Sequence, residues 1–270
     1  MSDEVDRLLR RGGEEPRIKD ADLYETVEEV FDTSTVLTVV SLIRKRVLKR
    51  ISGVISAGKE ARVYLGYASD GRPLAVKIYL TSSAEFRKGI LKYIVGDPRF
   101  QGVKTGDTRA LIYAWTRKEY RNLVRMREAG VKVPEPVAFL NNVLVMEFLG
   151  EEGKRYPLLV EAYKELEKEE LENIYKLVLE ELEKIVCKAR LVHGDLSEFN
   201  IMVKPDLDIA IIDVSQAVDY SHPNAKEFLE RDVRNINRFF KNEAKINVLS
   251  DEEVLEGLFK CLERRREDSS

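Results

Sequence analysis

The chain has 270 residues, of which 44% are hydrophobic and 34% charged, and its 45 basic and 48 acidic side chains leave a net charge of -3. This composition predicts a globular protein of one large domain or two lobes, and it excludes a disordered chain and a globally basic nucleic-acid binder. Two cysteines and two histidines are too few for a disulfide framework or a zinc site.

The N-terminal residues predict a helical extension before the main fold. Residues 1–20 are polar and hold no apolar signal core, and no apolar run in the chain is long enough to span a membrane. We therefore expect a cytoplasmic protein without a membrane partner. Residues 21–32 have apolar side chains at helical spacing, and residues 34–50 predict a second helix that begins at a Ser/Thr cap and ends in a basic turn. The expected extension covers residues 1–50.

Three short segments rich in β-branched and aromatic residues follow, and they predict strands. These segments are Ile51–Ile55, Arg62–Tyr67 and Leu74–Leu80. Asp70-Gly71 between the last two is a strong hairpin signal. Residues 81–110 are rich in glycine, and we expect a partly mobile loop around a short helix there.

The change from strands to helices near residue 149 predicts the fold class. Residues 110–129 predict a helix that ends at Gly130, followed by strands at Val131–Leu140 and Val143–Phe148. The later helices are expected at 158–189, 224–240 and 250–266, around strands at Ile201–Val203 and Ile209–Val214. We therefore expect an α+β, two-lobed fold with a β-rich N-lobe at 51–149 and a helical C-lobe at 150–270. Clefts between such lobes are common ligand sites.

Two motifs in the first half point to phosphate binding. Residues 56–63 read SAGKEARV, which takes the place of the kinase loop G-x-G-x-x-G-x-V but retains only Gly58 as glycine. Small side chains there would let backbone amides approach phosphates, although for such a loop on its own a plain β-turn is the more common explanation. Ala75-Val76-Lys77 matches the strand lysine of V-A-I-K, which contacts the α- and β-phosphates. A lone strand lysine is more often a solvated edge residue.

Two motifs in the second half point to phosphoryl transfer. Residues 193–200 read HGDLSEFN and match the frame H-x-D-x-x-x-x-N, in which the aspartate accepts the substrate hydroxyl proton and the asparagine holds magnesium. These positions are Asp195 and Asn200, and we expect a structural role for His193. Asp213 follows an apolar strand eighteen residues after Asp195, in the place of the metal-binding D-F-G aspartate. A turn-capping carboxylate is the alternative.

These motifs also indicate where the carboxylate partner of Lys77 and the adenine-binding segment should lie. Glu119 and Glu128 are the candidate partners of Lys77, and Glu119 is preferred because it falls mid-helix. The adenine is expected on residues 146–149, where backbone groups of Glu147 and Leu149 would contact the base edge. The predicted nucleotide-site residues are Ile55, Ser56, Gly58, Lys59, Val63, Ala75, Lys77, Glu119, Met146, Glu147, Leu149, Met202 and Ile212.

With these motifs, the sequence resembles the type-1 branch of the RIO family of atypical serine/threonine protein kinases. The resemblance covers about residues 30–260 and is carried by SAGKEARVY, AVKIY, GDPRF, HGDLSEFN and IIDVSQAV. It implies ATP and Mg²⁺, or Mn²⁺, with Asp195 as proton acceptor and with Asn200 and Asp213 as metal ligands. It also implies a transient aspartyl-phosphate on Asp213, hence an ATPase cycle. The family acts in maturation of the small ribosomal subunit, so the implied partners are its precursor particles.

The sequence departs from ordinary protein kinases in ways that bear on the substrate. Gly194 replaces the usual arginine, and only 57 residues follow Asp213, without an A-P-E stretch. The RIO family has a similarly truncated C-lobe, and the truncation argues against an extended peptide substrate. Loop 81–110 can replace the missing surface, and its hydroxyls are candidate autophosphorylation sites. They are Ser82, Ser83, Thr105 and Thr108.

Two other functions are compatible with the motifs. Small-molecule kinases of the aminoglycoside or choline type share the H-G-D-x-x-x-x-N frame, although SAGKE and IDVSQ argue against them. An ATP-switched ribosome assembly factor with little kinase activity would use the same residues. Our preferred prediction is a serine/threonine kinase that also autophosphorylates.

Overall fold

The computed structural model describes residues 32–81, 84–100, 102–103 and 105–267. The predicted helix at 21–32, apart from its last residue, and the candidate sites Ser82 and Ser83 lie outside these ranges. In the first half, α1 spans Thr33–Arg44, β1 Arg50–Ala57, β2 Ala61–Tyr67, β3 Pro73–Tyr79, α2 Ala84–Ile94, α3 Thr108–Glu128, β4 Pro136–Leu140 and β5 Val143–Glu147. In the second half, β6 spans Gly150–Glu151, β7 Lys154–Arg155, α4 Leu159–Ala162, α5 Lys168–Glu183, β8 Leu191–Val192, β9 Ile201–Val203, β10 Ile209–Ile211, β11 Val218–Asp219, α6 Ala225–Asn242 and α7 Asp251–Glu267.

The N-lobe is a five-stranded antiparallel sheet in the order β1-β2-β3-β5-β4. The Asp70-Gly71 hairpin joins β2 to β3, and Gly71 has a φ of 89°, which glycine adopts without strain. The register places Val63 opposite Lys77 and Ala75 opposite Met146. Four residues predicted to contact the nucleotide therefore lie side by side on neighbouring strands.

Helix α1 packs on one face of this sheet and shares its core. Val36, Val39 and Leu42 are buried against apolar side chains of β3 and β5. The cap is the Asp32 carboxylate, which accepts the Thr35 N–H at 2.8 Å, rather than the Ser/Thr cap predicted. The prediction of a helix to residue 50 was also wrong. The helix ends at Arg44 because Arg46 adopts a left-handed φ of 58° and turns the chain into β1.

Segment 81–110 contains more regular structure than the expected loop. It includes the eleven residues of α2 and a short 3₁₀ turn at Pro98–Phe100. Ile90, Tyr93 and Phe100 are buried in the main hydrophobic core. Helix α3 follows and ends before Gly130, whose φ of 77° stops the helix as predicted.

In the C-lobe, helices α5, α6 and α7 surround two short antiparallel strand pairs, β9–β10 and β8–β11. A segment of π-helix at Lys184–Lys188 extends α5 toward β8. Within that segment Cys187 forms a disulfide with Cys261 of α7, so the two cysteines make one cross-link although they are too few for a framework. In the part of the chain that the structure describes, no helix has the length and apolarity needed to cross a lipid bilayer.

Candidate active site

A cleft of about 370 Å³ lies between the N-lobe sheet and the C-lobe hairpin of β9 and β10. All the predicted nucleotide-site residues line it except Glu119, which lies behind Lys77. Asn200 and Asp213 also line the cleft. The structure therefore collects residues from six separate segments, because the register of β2, β3 and β5 and the β9–β10 hairpin turn their side chains toward one space.

One end of the cleft is an apolar slot. Val63, Ala75 and Met146 form its N-lobe wall, and Met202 and Ile212 form its C-lobe wall. Two backbone groups in segment 146–149, which was predicted to bind the adenine, already have hydrogen-bond partners in the protein. The Glu147 N–H donates to Glu135 O at 2.8 Å, and Leu149 O accepts the Tyr156 N–H at 3.0 Å. The Glu147 N–H is therefore already paired, whereas the Leu149 carbonyl can still accept a second hydrogen bond.

Lys77 is the central charge of the cleft. Its Nζ lies 2.8 Å from Glu119 Oε1 and 3.0 Å from Asp213 Oδ1, while Tyr79 Oη donates to Glu119 Oε2. Burial alone would lower the pKa of Lys77, but the two carboxylates outweigh it and raise that pKa well above its ordinary value. The ammonium is therefore charged at neutral pH. Glu128, the other predicted partner, is exposed.

The loop from β8 to β9 carries Asp195 and is held from beneath by α6. The fully buried Asp232 carboxylate accepts the N–H groups of Gly194 and Leu196 at 2.8 and 2.9 Å. Burial raises the pKa of Asp232 to about 7. Arg231 donates to the Gly194 carbonyl. Gly194 has a φ of 79°, and a Cβ there would lie 3.1 Å from Gln216 O, so an arginine at this position would be strained and would crowd the Gln216 carbonyl.

Asp195 itself lies beside the turn that follows Asp213. Gln216 Nε2 donates to Asp195 Oδ2 at 3.2 Å, and the Asn200 side-chain amide donates to Asp195 O at 2.8 Å. Burial and the nearby Asp213 charge raise the pKa of Asp195. His193 is buried with its pKa lowered to about 4, so the neutral ring donates from Nε2 to Ile212 O at 3.3 Å. This contact fits the structural role expected of His193.

Asp213 opens into the cleft with 49% of its side chain exposed. Its backbone is left-handed, with a φ of 53°, and its Oδ1 accepts the Ser215 hydroxyl at 2.9 Å. Although desolvation acts in the opposite direction, the Lys77 ammonium lowers the pKa of Asp213. The Ile212 N–H donates to Asn200 O at 2.9 Å, which ties the segments carrying Asn200 and Asp213 together.

The oxygen donors at this end of the cleft suit a magnesium ion that also binds phosphates. Asp213 supplies a carboxylate and Asn200 an amide oxygen, both hard ligands. Among the described residues no group of three or more His, Cys, Asp and Glu side chains is placed to hold a metal ion by itself. Mg²⁺ commonly takes one or two protein ligands and completes its shell with water and substrate phosphates, so this pair fits it.

Several cleft residues were not predicted, and some of them carried a signal. Glu60 and Phe199 lie within the SAGKE and SEFN motifs and both line the cleft. Burial and the Asp213 charge raise the pKa of Glu60, and Phe199 is 57% exposed at the mouth. Asp232, Arg231 and Gln216 were missed because no local pattern reveals which loop a distant residue contacts. Ala61 and Phe148 also line the cleft and lie within the predicted segments 56–63 and 146–149. The other unpredicted lining residues are Tyr79, Pro134, Arg155 and Leu158.

Comparison with known protein families matches residues 62–253 to the RIO domain. The RIO-type serine/threonine-protein kinase Rio1 of Haloferax volcanii is 39% identical over 89% of this chain and 82% of its own length. The serine/threonine-protein kinases RIO1 of Caenorhabditis elegans and Homo sapiens are 42% and 36% identical over 89% and 93% of this chain. The chain spans only 46% and 45% of those two relatives.

Solved structures give the same fold. A crystal structure of the Rio2 kinase from Chaetomium thermophilum aligns with 87% of this chain and 78% of its own, with a TM-score of 0.58 and 22% identity. A second structure of that kinase, described as its ADP/Mg²⁺-phosphoaspartate complex, aligns with a TM-score of 0.55 at 22% identity over 87% of this chain and 76% of its own.

Proposed function

Since the chain belongs to the RIO family as a Rio1-type, ATP-dependent serine/threonine protein kinase, we propose that it transfers the γ-phosphoryl group of ATP in the cleft lined by Lys77 and Asp213, with Asp195 next to the cleft. One observation carries this assignment. The Lys77 ammonium lies between Glu119 and Asp213 at 2.8 and 3.0 Å, in a cleft that also holds an apolar slot. This is the arrangement that positions nucleotide phosphates in kinases.

ATP would bind with its adenine in the apolar slot and its phosphates toward Lys77. Val63, Ala75 and Met202 supply apolar surface for the base, and the Leu149 N–H remains as the hydrogen-bond donor at the base edge. Residues 56–61 carry small side chains at Ser56, Gly58 and Ala61, so backbone amides can approach the phosphates. Gly58 is already in a tight turn, with its N–H donating to Ala61 O at 3.0 Å.

Asn200 and Asp213 would hold Mg²⁺, and Mn²⁺ prefers similar oxygen ligands. A bound divalent ion supplies neutralisation of the charge on the transferring phosphoryl group. Asp213 is ionised at neutral pH because Lys77 lowers its pKa. The hydrogen bond from Ile212 N–H to Asn200 O keeps the two ligands on connected segments before the ion arrives.

Asp195 would orient the acceptor hydroxyl and take its proton. The hydroxyl oxygen forms a bond to the γ-phosphorus as the bond to the ADP oxygen breaks, and the hydroxyl proton passes to an Asp195 carboxylate oxygen. Burial and the nearby Asp213 charge raise the pKa of Asp195, which makes it a better proton acceptor than an ordinary aspartate. Gln216 holds one carboxylate oxygen at 3.2 Å, which leaves the other for the hydroxyl.

We also propose an ATPase cycle in which an Asp213 carboxylate oxygen attacks the γ-phosphorus, ADP leaves, and water hydrolyses the aspartyl-phosphate to free phosphate. The half-exposed side chain of Asp213 supports this, since it already opens into the cleft. The description of the Chaetomium Rio2 complex names a phosphoaspartate for that protein. Autophosphorylation at Thr105 or Thr108 is a further part of the proposal.

The proposed setting is maturation of the small ribosomal subunit, as the family resemblance implies, in the cytoplasm and on precursor particles of protein and ribosomal RNA.

We propose the lobe division at 51–149 and 150–270, with residues 1–50 as an N-terminal helical extension whose α1 packs on the N-lobe. The relatives' names favour a protein substrate over a small molecule such as an aminoglycoside.

The product of the reaction tests this proposal. Wild type and Asp213→Asn would be incubated with γ-labelled ATP, magnesium, a generic protein substrate and, separately, an aminoglycoside. We expect acid-stable, hydroxylamine-resistant label on protein from the wild type, together with labelled phosphate and a hydroxylamine-sensitive adduct that Asp213→Asn cannot form. Label on the aminoglycoside alone would overturn the proposal in favour of a small-molecule kinase.

A further inference from the structure

Two consecutive residues of α3 reach different parts of the active site. Glu119 contacts Lys77 on the N-lobe sheet. Lys118, one position earlier and about 100° around the helix, is fully buried and points to the 3₁₀ turn Val214–Gln216, which follows Asp213. Its Nζ donates to Ser215 O at 2.8 Å and also to Ala217 O. One helix therefore contacts both the phosphate-binding lysine and the turn next to the metal-binding aspartate.

Asn122 makes a second connection from the same helix to the same turn. Its Nδ2 donates to Val214 O at 2.8 Å and to Ala217 O at 2.9 Å. Its Oδ1 accepts from Arg99 at 2.8 Å, and this contact fixes the orientation of the amide. Side chains of α3 thus donate to three backbone carbonyls of segment 214–217, those of Val214, Ser215 and Ala217.

The chemistry of Lys118 makes this connection hard to break. Its hydrogen-bond partners are neutral carbonyls, its Nζ lies 5.1 Å from the Trp115 ring, and burial lowers the pKa of Lys118 well below its ordinary value. A buried amino group is destabilising unless its hydrogen bonds are made, and so are the buried carbonyls. If the turn moved away from α3, both sides would lose their partners. The turn is therefore held in one position relative to α3.

We propose that Lys118 is a positioning residue that sets the Asp213 carboxylate for magnesium. The left-handed backbone of Asp213 is costly for a non-glycine residue, and the held turn keeps the residue in it. Because Glu119 places Lys77 from the same helix, α3 fixes the phosphate contact and the metal ligand as one unit before nucleotide binds. The inference rests on the proposed function in one respect, the assignment of Asp213 as a metal ligand.

The test measures magnesium-dependent nucleotide binding rather than turnover. Fluorescent ADP would be titrated into wild type and Lys118→Met, first without metal and then with increasing Mg²⁺. We expect the apparent dissociation constant for Mg²⁺ to rise about tenfold in the variant, since the loss of a buried hydrogen bond is worth about that much. Metal-free ADP affinity should stay within about twofold, and hydrogen exchange at residues 214–217 should become faster.

A control on the same helix separates positioning from general destabilisation. Thr116 is also fully buried on α3, but its hydroxyl donates only to Ile112 O, at 3.0 Å. Thr116→Val should leave the apparent dissociation constant for Mg²⁺ unchanged. If Lys118→Met lowers the melting temperature and leaves the magnesium constant at the wild-type value, the positioning role is wrong.

Two further variants make every outcome decisive. Asp213→Asn should raise the magnesium constant more than Lys118→Met. If Asp213→Asn leaves it unchanged, the metal-ligand assignment fails, whereas an effect of Asp213→Asn without one of Lys118→Met overturns only the inference. If Lys118→Met does not fold, Asn122→Ala replaces it, because it removes the donors to Val214 O and Ala217 O. An unchanged magnesium constant in Asn122→Ala would then overturn the inference.

Discussion

Gln216 Nε2 donates to Asp195 Oδ2 at 3.2 Å, so the turn after Asp213 also contacts the proposed proton acceptor. Ordinary kinase motifs give no reason to expect this contact. It links Asp195 to the turn that follows Asp213 through a neutral amide, which can stabilise the Asp195 carboxylate without competing for the substrate hydroxyl.

We predict that Gln216→Ala lowers kcat about tenfold and leaves the KM for ATP within about twofold, because a hydrogen bond to a charged group is lost away from the nucleotide. Steady-state kinetics at saturating magnesium measure both constants. The companion variant Gln216→Glu should move the acid limb of the pH–rate profile upward, since a second carboxylate raises the pKa of Asp195. A wild-type kcat in Gln216→Ala would contradict the proposed orienting role.

Lys77 also contributes to folding. We predict that Lys77→Met lowers the free energy of unfolding by about 3–5 kcal/mol, because the buried Glu119 carboxylate loses its charge partner. Denaturant unfolding of the nucleotide-free protein measures this. Lys132→Met is the control, since the Lys132–Asp208 pair is partly exposed and its loss should cost less than about 1 kcal/mol. Equal losses in the two variants would contradict the account.

Because the pKa of Asp232 is raised, we expect the free energy of unfolding to depend on pH. Burial raises its pKa in the folded state to about 7, so the folded protein retains a proton that the unfolded chain releases near pH 4. Stability from this group is present at low pH and is lost as the pH rises through about 7. We expect wild type to lose about 3 kcal/mol relative to Asp232→Asn between pH 5 and pH 8, measured by urea unfolding. A constant difference between the two proteins would contradict the raised pKa.

The Cys187–Cys261 disulfide joins α7 to the segment before β8 across 74 residues. A cross-link of this kind restricts the unfolded chain, and we predict that reduction lowers the free energy of unfolding by about 2–4 kcal/mol. Neither cysteine lines the cleft, so MgATP affinity at 25 °C should not change. Reductant should have no effect on the stability of Cys261→Ser. A reductant effect of equal size in that variant would show that the disulfide is not its cause.

The sequence predicted the parts of the fold that depend on local patterns. The Asp70-Gly71 hairpin, the stop of α3 at Gly130 and the change of pattern near residue 149 are all local signals, and the structure has each of them. The end of α1 was missed because the left-handed residue, Arg46, is not a type that usually marks such a position. The extent of α2 was missed because Gly89 within it and the glycines that follow it obscured the apolar side chains that pack in the core.

The candidate site was predictable where a motif fixes several residues at set offsets. HGDLSEFN placed Asp195 and Asn200 on one loop, and the structure brings that loop next to Asp213. Lys118 and Asp232 were not predictable, because each acts on backbone groups far away in sequence. A buried polar side chain whose hydrogen-bond partners are distant backbone groups has no recognisable sequence motif around it.

The measurement that tests the central claim most directly compares wild type with Asp195→Asn in a single turnover with γ-labelled ATP and magnesium, alongside MgATP affinity. The account predicts that transfer to protein falls by a factor of about 10² to 10⁴, as expected for loss of a general base, while MgATP affinity stays within about threefold. A variant that transfers the label at the wild-type rate would contradict the assignment of Asp195 and the proposed reaction in this cleft.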